Sequence, residues 1–115
     1  MRPETLKRLM DAKAACDAIE AFTSGLDFEA FAASALVRSA VERQFEIIGE
    51  ALSKASKEDD GVGRVIPEIP RIVDLRNRLI HGYDSVDDQL IWDVVRAKLP
   101  GLRDALARHL VQPNA

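Results

Sequence analysis

The sequence contains few of the residues that build disulfide-bonded, metal-binding or sheet-rich proteins. Cysteine occurs once, at Cys16, which excludes an intrachain disulfide and leaves no set of thiolates for a zinc or iron–sulfur site. Aromatic residues make up only 5% of the chain. Because aromatic residues favour strands, whereas the abundant Ala, Leu, Arg and Glu favour helices, the composition predicts an all-α protein.

Long apolar runs and an excess of positive charge are also missing. No stretch approaches the roughly 20 apolar residues that a membrane span needs, and no N-terminal segment has the pattern of a secretory signal. The 16 basic residues are outnumbered by 19 acidic ones, which gives a net charge of -3. We therefore expect a cytoplasmic protein without a membrane segment, in which any nucleic-acid site is local and does not arise from the overall charge.

The length of 115 residues predicts one domain, spanning residues 1–115. Apolar spacing predicts four helices: Pro3 to Ser24, Asp27 to Ser56, a third from about Glu68–Pro70 to Gly82, and a fourth that opens with a capping box at Ser85. Short connections between such helices favour an antiparallel up-down bundle.

Three local features refine this prediction. The segment from Lys57 to Pro67 is rich in charge and glycine and lacks periodicity, so it is predicted to be the one substantial loop. Pro100 is predicted to kink or split the fourth helix near Leu99, because proline lacks the N–H donor that a helix needs. Gly49 lies inside the second predicted helix, where glycine is unfavourable, and this indicates close helix packing at that point.

The third predicted helix carries a charged residue on its apolar face. Its apolar arc comprises Ile69, Ile72, Val73, Leu75, Leu79 and Ile80, and its polar side carries Asp74, Asn77, Arg78 and His81. Arg76 falls in the middle of the apolar arc. Since an isolated buried charge is costly, either an acidic residue such as Glu46 or Glu50 pairs with it, or the arc opens onto a groove or a partner chain.

The same helix ends in a recognisable motif. The segment from Arg76 to Tyr83, RNRLIHGY, resembles the R-x4-H-x-Y signature of the HepT-like family, the toxin branch of the HEPN superfamily of small helical ribonucleases. Glu42 to Ala51, ERQFEIIGEA, is similar to the second-helix motif of that family. The last helix of the family is matched by Val86-Asp87, Ile91-Trp92 and Leu99-Pro100. Together these segments span most of residues 1–111, in the order found in the family.

This resemblance implies a fold, an activity and a set of partners. The fold is a four-helix bundle of HEPN type, and the activity is that of a metal-independent endoribonuclease that needs no cofactor and works as a homodimer on RNA. Arg76 and His81 match the catalytic pair, and Asn77 and Arg78 are the supporting polar and RNA-binding candidates. Tyr83 matches the tyrosine that an MntA-type nucleotidyltransferase antitoxin modifies with AMP in type VII toxin–antitoxin systems.

The chemistry of the matched residues agrees with this interpretation. Histidine is the side chain that ordinarily titrates near neutrality and can move a proton, and a guanidinium binds phosphate in a bidentate manner. A helical projection sets Arg76 and His81 about 140° apart, which favours a site completed across a dimer. Between Arg64 and Tyr83, four arginines stand against two acidic residues, a local net charge of +2.

Two other interpretations remain open. The chain could be a non-catalytic module that docks a nucleotidyltransferase or holds a nucleotide, since the same residues can bind a phosphate without cleaving RNA. It could also be a helical dimerisation domain in which Arg76 forms a buried ion pair, and loss of that arginine would then destabilise the fold markedly.

Overall fold

The computed structural model describes residues 2–82 and 86–110. These residues form seven α-helices, and none of them lies in a strand, which confirms the prediction of an all-α protein. The helices are α1 (Pro3–Thr23), α2 (Phe28–Ala33), α3 (Ala35–Glu58), α4 (Gly61–Val65), α5 (Ile69–His81), α6 (Asp88–Ala97) and α7 (Leu99–Leu110). The four predicted helices correspond to α1, to α2 with α3, to α5, and to α6 with α7.

The bounds of α1 and α5 agree with the prediction because both ends of each helix carry a local signal. Helix α1 begins at Pro3. Proline is tolerated there because the N–H groups of the first turn have no acceptor within the helix, so the absent N–H costs no hydrogen bond. It ends just before Gly25, which has a φ of 76°, a conformation that favours glycine. Helix α5 has Pro70 in its first turn and ends at Gly82, whose N–H donates to the carbonyl of Arg78 at 2.9 Å.

The prediction of one continuous helix from Asp27 to Ser56 is wrong. The chain breaks at Ser34, which has extended backbone angles, and the Ser34 Oγ accepts a hydrogen bond from the Val37 N–H at 3.1 Å. Serine is a preferred N-cap because its side chain satisfies a donor at a helix start. The apolar periodicity alone does not reveal this break. Asp27 caps the shorter helix α2 as predicted, accepting from Ala30 N–H at 2.8 Å.

The prediction of a loop from Lys57 to Pro67 is also wrong in part. Helix α3 continues to Glu58, and the short helix α4 follows after only two residues. Val62 and Ile66, four positions apart, are both buried in the core. This apolar pair anchors a helical turn despite the glycines, because burial outweighs a weak intrinsic preference.

The interruption predicted near Leu99 is confirmed, and it divides the last helix into α6 and α7 at Lys98. Pro100 occupies the first turn of α7, where its missing donor is tolerated. The predicted cap at Ser85 lies outside the described residues. The residue that caps α6 is instead Asp87, whose Oδ1 accepts from the Leu90 N–H at 2.7 Å.

The long helices α1, α3 and α5 pack together around one apolar core, with α3 in contact with both of the others. The Thr5 hydroxyl donates to the Glu58 carboxylate at 3.2 Å, so α1 and α3 run in opposite directions. Helix α7 packs on α1, and α2 packs on α3 and α6. None of the described helices is long and apolar enough to span a membrane. The C-terminal half of α5 thus lies against α3, where the candidate site is found.

Candidate functional site

Helix α5 buries most of its predicted apolar arc. Four of its residues, at spacings of three and four positions, are buried against the rest of the protein: Ile69, Ile72, Leu75 and Leu79. Val73 is half-buried, whereas Ile80 is 42% exposed and therefore is not part of the core as the projection suggested. The arc is narrower than predicted, and its edge near the C-terminus of α5 is open to solvent.

Arg76 lies at the edge of the arc that faces α3. Its aliphatic stem packs directly on Gly49 of α3: a Cβ added to that glycine would lie 2.8 Å from the Arg76 Cγ and closer still to its Cβ. The close helix packing predicted from Gly49 is confirmed. The guanidinium donates from Nη1 to the Asn77 Oδ1 at 3.0 Å, and its Nε is buried without a hydrogen-bond partner among the described residues.

The ion pair considered for Arg76 does not form with Glu46 or with Glu50 of α3. Glu46 pairs with Arg43 at 3.3 Å, and Glu50 pairs with Lys54 at 3.0 Å. Within the described parts of the chain, no carboxylate lies within 4 Å of the Arg76 guanidinium. The pKa of Glu50 is lowered, first by the hydrogen bond and charge of Lys54 and to a smaller extent by Arg76. Arg76 is therefore near enough to influence Glu50 but is not paired with it.

His81 is the last residue of α5 and is exposed. Its side chain makes no hydrogen bond to another described residue, and in particular none to Arg76 or Asn77. The structure therefore brings Arg76 and Asn77 together but leaves His81 separate at the end of the helix. Tyr83, the predicted modification site, lies outside the described residues.

Arg78 faces a different side of α5 from Arg76. It forms an ion pair with Asp74 at 3.2 Å, in which both side chains are exposed. It also lines a groove of about 350 Å³ between α5 and α6, whose lining includes the further cations Arg71 and Lys98 and the carboxylates of Asp74 and Asp93. The two arginines of the motif therefore lie on different surfaces of α5: Arg76 packs against α3, and Arg78 lies beside α6.

Comparison with known proteins agrees with the motif. The model of the family described as "Ribonuclease HepT-like" matches residues 12–109. A Thermococcus cleftensis protein named "Probable ribonuclease HepT" is 39% identical over 97 residues, which cover 83% of this chain and 86% of that protein. A Methanocaldococcus jannaschii protein with a provisional RNase name is 38% identical over 93 residues, covering 79% of this chain and 82% of that protein. No solved structure matches the chain. The motif, the helical fold and these similarities together place the chain in the HepT-like ribonuclease family.

Proposed function

We propose that the protein is a metal-independent endoribonuclease that acts in the cytoplasm as a homodimer of HEPN-type helical bundles. The observation that carries this proposal is the state of Arg76, which is packed against α3 without a carboxylate partner in the described part of the chain. A guanidinium held in this way keeps hydrogen-bond donors for a phosphate group. RNA is the substrate class that the names of the relatives favour.

In this proposal, Arg76 and His81 divide the chemistry. Arg76 binds the scissile phosphate and stabilises the negative charge that builds on it. His81 accepts the proton of the attacking 2′-hydroxyl or delivers one to the leaving oxygen, a role that suits an exposed imidazole at the end of a helix. Asn77 supports Arg76 through the observed hydrogen bond, and Arg78 contacts RNA along the groove beside α6.

A second copy of the chain would complete the site. Arg76 packs on α3, whereas His81 is exposed at the end of α5, and no hydrogen bond joins the two side chains. In a two-fold dimer, the Arg76 of one protomer and the His81 of its partner could face the same phosphate. The exposed Ile80 between them offers apolar surface for such a contact. Sedimentation equilibrium measures whether the purified chain is dimeric.

The test of the activity compares the two histidines of the chain. His81→Ala should abolish cleavage of total cellular RNA in the presence of EDTA, because it removes the proton-transfer group. His109→Ala should cleave like the wild type, since His109 lies in α7, a helix that packs on α1 and α6. Both variants should keep the helical circular dichroism signal of the wild type. Cleavage by His81→Ala at the wild-type rate would contradict the proposal.

The proposal includes a regulatory partner. An MntA-type nucleotidyltransferase would act as the antitoxin of a type VII system by transferring AMP from ATP to the Tyr83 hydroxyl, with release of pyrophosphate. This adds bulk and negative charge two positions after His81 in the sequence. Incubation with ATP and that partner should raise the mass of the wild type and leave Tyr83→Phe unchanged. An equal mass increase in both proteins would show that Tyr83 is not the modified residue.

One observation favours a second candidate function, a non-catalytic module that docks the nucleotidyltransferase. His81 has no hydrogen-bond partner among the described residues, whereas a catalytic base is commonly oriented by a neighbouring group. Expression of the chain alone distinguishes the two. Growth arrest that the partner relieves supports the ribonuclease, and binding of the partner without growth arrest or RNA cleavage supports the module.

A further inference from the structure

Helix α3 approaches the candidate site closely at Gly49. This glycine is buried, and the space that a Cβ would need is already filled by the Cβ and Cγ of Arg76. The backbone carbonyl of Ile72, one turn earlier in α5, would lie 3.3 Å from the same added atom. Any larger residue at this position would therefore push α5 away, because the Arg76 Cβ is fixed to the α5 backbone and only the Cγ can turn aside.

The chain offers an internal comparison for this contact. Gly101 also lies inside a helix, but an added Cβ there would have nothing within 4 Å. Gly101 lies in the first turn of α7, and this open space means that alanine can replace it without a steric conflict. Gly49 differs because the atoms that exclude a side chain belong mainly to Arg76.

The far end of the Arg76 side chain is also held. Its Nη1 donates to the Asn77 Oδ1, and its Nε is buried beside the stem. A long side chain with no ion-pair partner ordinarily has considerable rotamer freedom. Here the α3 backbone at Gly49 limits the stem, and the Asn77 amide limits the guanidinium, so the direction of the side chain is defined from both ends.

We infer that Gly49 is a positioning residue for Arg76, an inference that rests on the proposed ribonuclease function. By letting α3 approach the stem, Gly49 sets where the guanidinium meets the phosphate. A Cβ at position 49 would need displacement on the order of 1 Å, and misplacement of that size can cost up to about 100-fold in rate. The effect falls on kcat more than on KM, since Arg76 acts as charge builds on the phosphate.

The experiment compares Gly49→Ala with the matched control Gly101→Ala at a temperature where circular dichroism shows both to be fully folded. We expect kcat for RNA cleavage to fall by roughly 10- to 100-fold in Gly49→Ala, with KM changed by less than about threefold. Gly101→Ala should stay within about twofold of the wild type in both constants. Equal kcat values for the two glycine variants would overturn the inference.

A second readout does not depend on activity. The Nε–Hε resonance of Arg76, assigned by its loss in Arg76→Lys, should move in the nitrogen–proton spectrum of Gly49→Ala and stay in place in Gly101→Ala. If the wild type cleaves no RNA, the proposed function fails, and this resonance alone decides the positioning role. A resonance that moves only in Gly49→Ala supports the inference, and an unmoved resonance overturns it.

Should Gly49→Ala not fold, the double variant Gly49→Ala with Arg76→Gly provides the test. It transfers the Cβ from one helix to the other, so it removes the steric conflict and keeps one glycine and one larger residue in the pair. Recovery of the folded state would show that contact with Arg76 is the reason for the glycine. A double variant that stays unfolded would overturn the inference.

Discussion

Replacing Arg76 with alanine separates a phosphate-binding arginine from a structural ion-pair arginine. The substitution keeps the Cβ that packs on Gly49 and removes the rest of the side chain. What is lost is two methylene groups beside α3 and one hydrogen bond to the exposed Asn77. The substitution also removes a buried Nε that has no hydrogen-bond partner among the described residues. No carboxylate of the described residues loses an ion-pair partner.

These contributions nearly cancel. Two methylene groups of a side chain that is half-buried as a whole are worth about 1 kcal/mol in total, at roughly 0.8 kcal/mol for each fully buried group. An exposed hydrogen bond adds at most about 0.5 kcal/mol, whereas relief of an unsatisfied buried donor returns about 1 kcal/mol. We therefore expect Arg76→Ala to lower the free energy of unfolding by less than about 1 kcal/mol, compared with about 3 to 5 kcal/mol for a broken buried ion pair.

Urea denaturation followed by circular dichroism measures this difference. Arg78→Ala is the matched control, because Arg78 lies on the same helix and has an exposed partner, Asp74, whose loss should cost about 0.3 to 0.5 kcal/mol. We expect the two variants to differ by less than about 1 kcal/mol in stability, while Arg76→Ala loses RNA cleavage. A loss of about 3 kcal/mol or more in Arg76→Ala would refute this reasoning and favour the ion-pair interpretation.

Two further predictions concern one buried and one half-buried titratable group. Burial, with a smaller effect of the Asp17 and Glu20 carboxylates, raises the pKa of Cys16 to about 12. We therefore expect a thiol reagent at mildly alkaline pH to label Cys16 only after denaturation. Labelling of the folded protein at the rate seen for the denatured protein would contradict this prediction. Burial, followed by the charge of Asp88, raises the pKa of Glu42 in the folded state. Because the folded protein disfavours the ionised carboxylate, the free energy of unfolding falls as the pH rises through this raised pKa. Glu42→Gln should therefore be more stable than the wild type near neutral pH, with the difference vanishing in acid; an equal gain at both pH values would argue against this cause.

The parts of the fold that the sequence predicts are those with local signals at both ends. Pro3 and Gly25 bound α1, and Pro100 explains the division between α6 and α7, because each residue acts through its own backbone. The apolar spacing does not predict the break at Ser34, because the regularly spaced buried positions from Val41 to Leu52 all lie after it. The glycines around Val62 predict a loop, whereas the burial of Val62 and Ile66 stabilises a helical turn there.

The sequence predicts candidate residues for the site but does not predict the contacts that they make. The motif identifies Arg76 and His81, and their role remains a proposal. The contact between Gly49 and Arg76 joins residues that are 27 positions apart on two helices. The sequence alone does not show that these two residues are in contact. Gly49 itself was visible as an unfavourable residue inside a helix, which indicates close packing without naming the neighbour.

The acids of α3 show why residue type alone could not decide the state of Arg76. Glu46 and Glu50 are on the helix that Arg76 contacts, but each pairs with a cation on its own helix, three or four positions away. Such local pairs form at little conformational cost, because the helix already holds both side chains on one side. The lowered pKa of Glu50, to which Arg76 contributes only a smaller part, agrees with this division. Local ion pairs along α3 therefore keep both carboxylates from Arg76, while Gly49 keeps the α3 backbone close to it. The result is a positioned cation that has no carboxylate partner within residues 2–82 and 86–110.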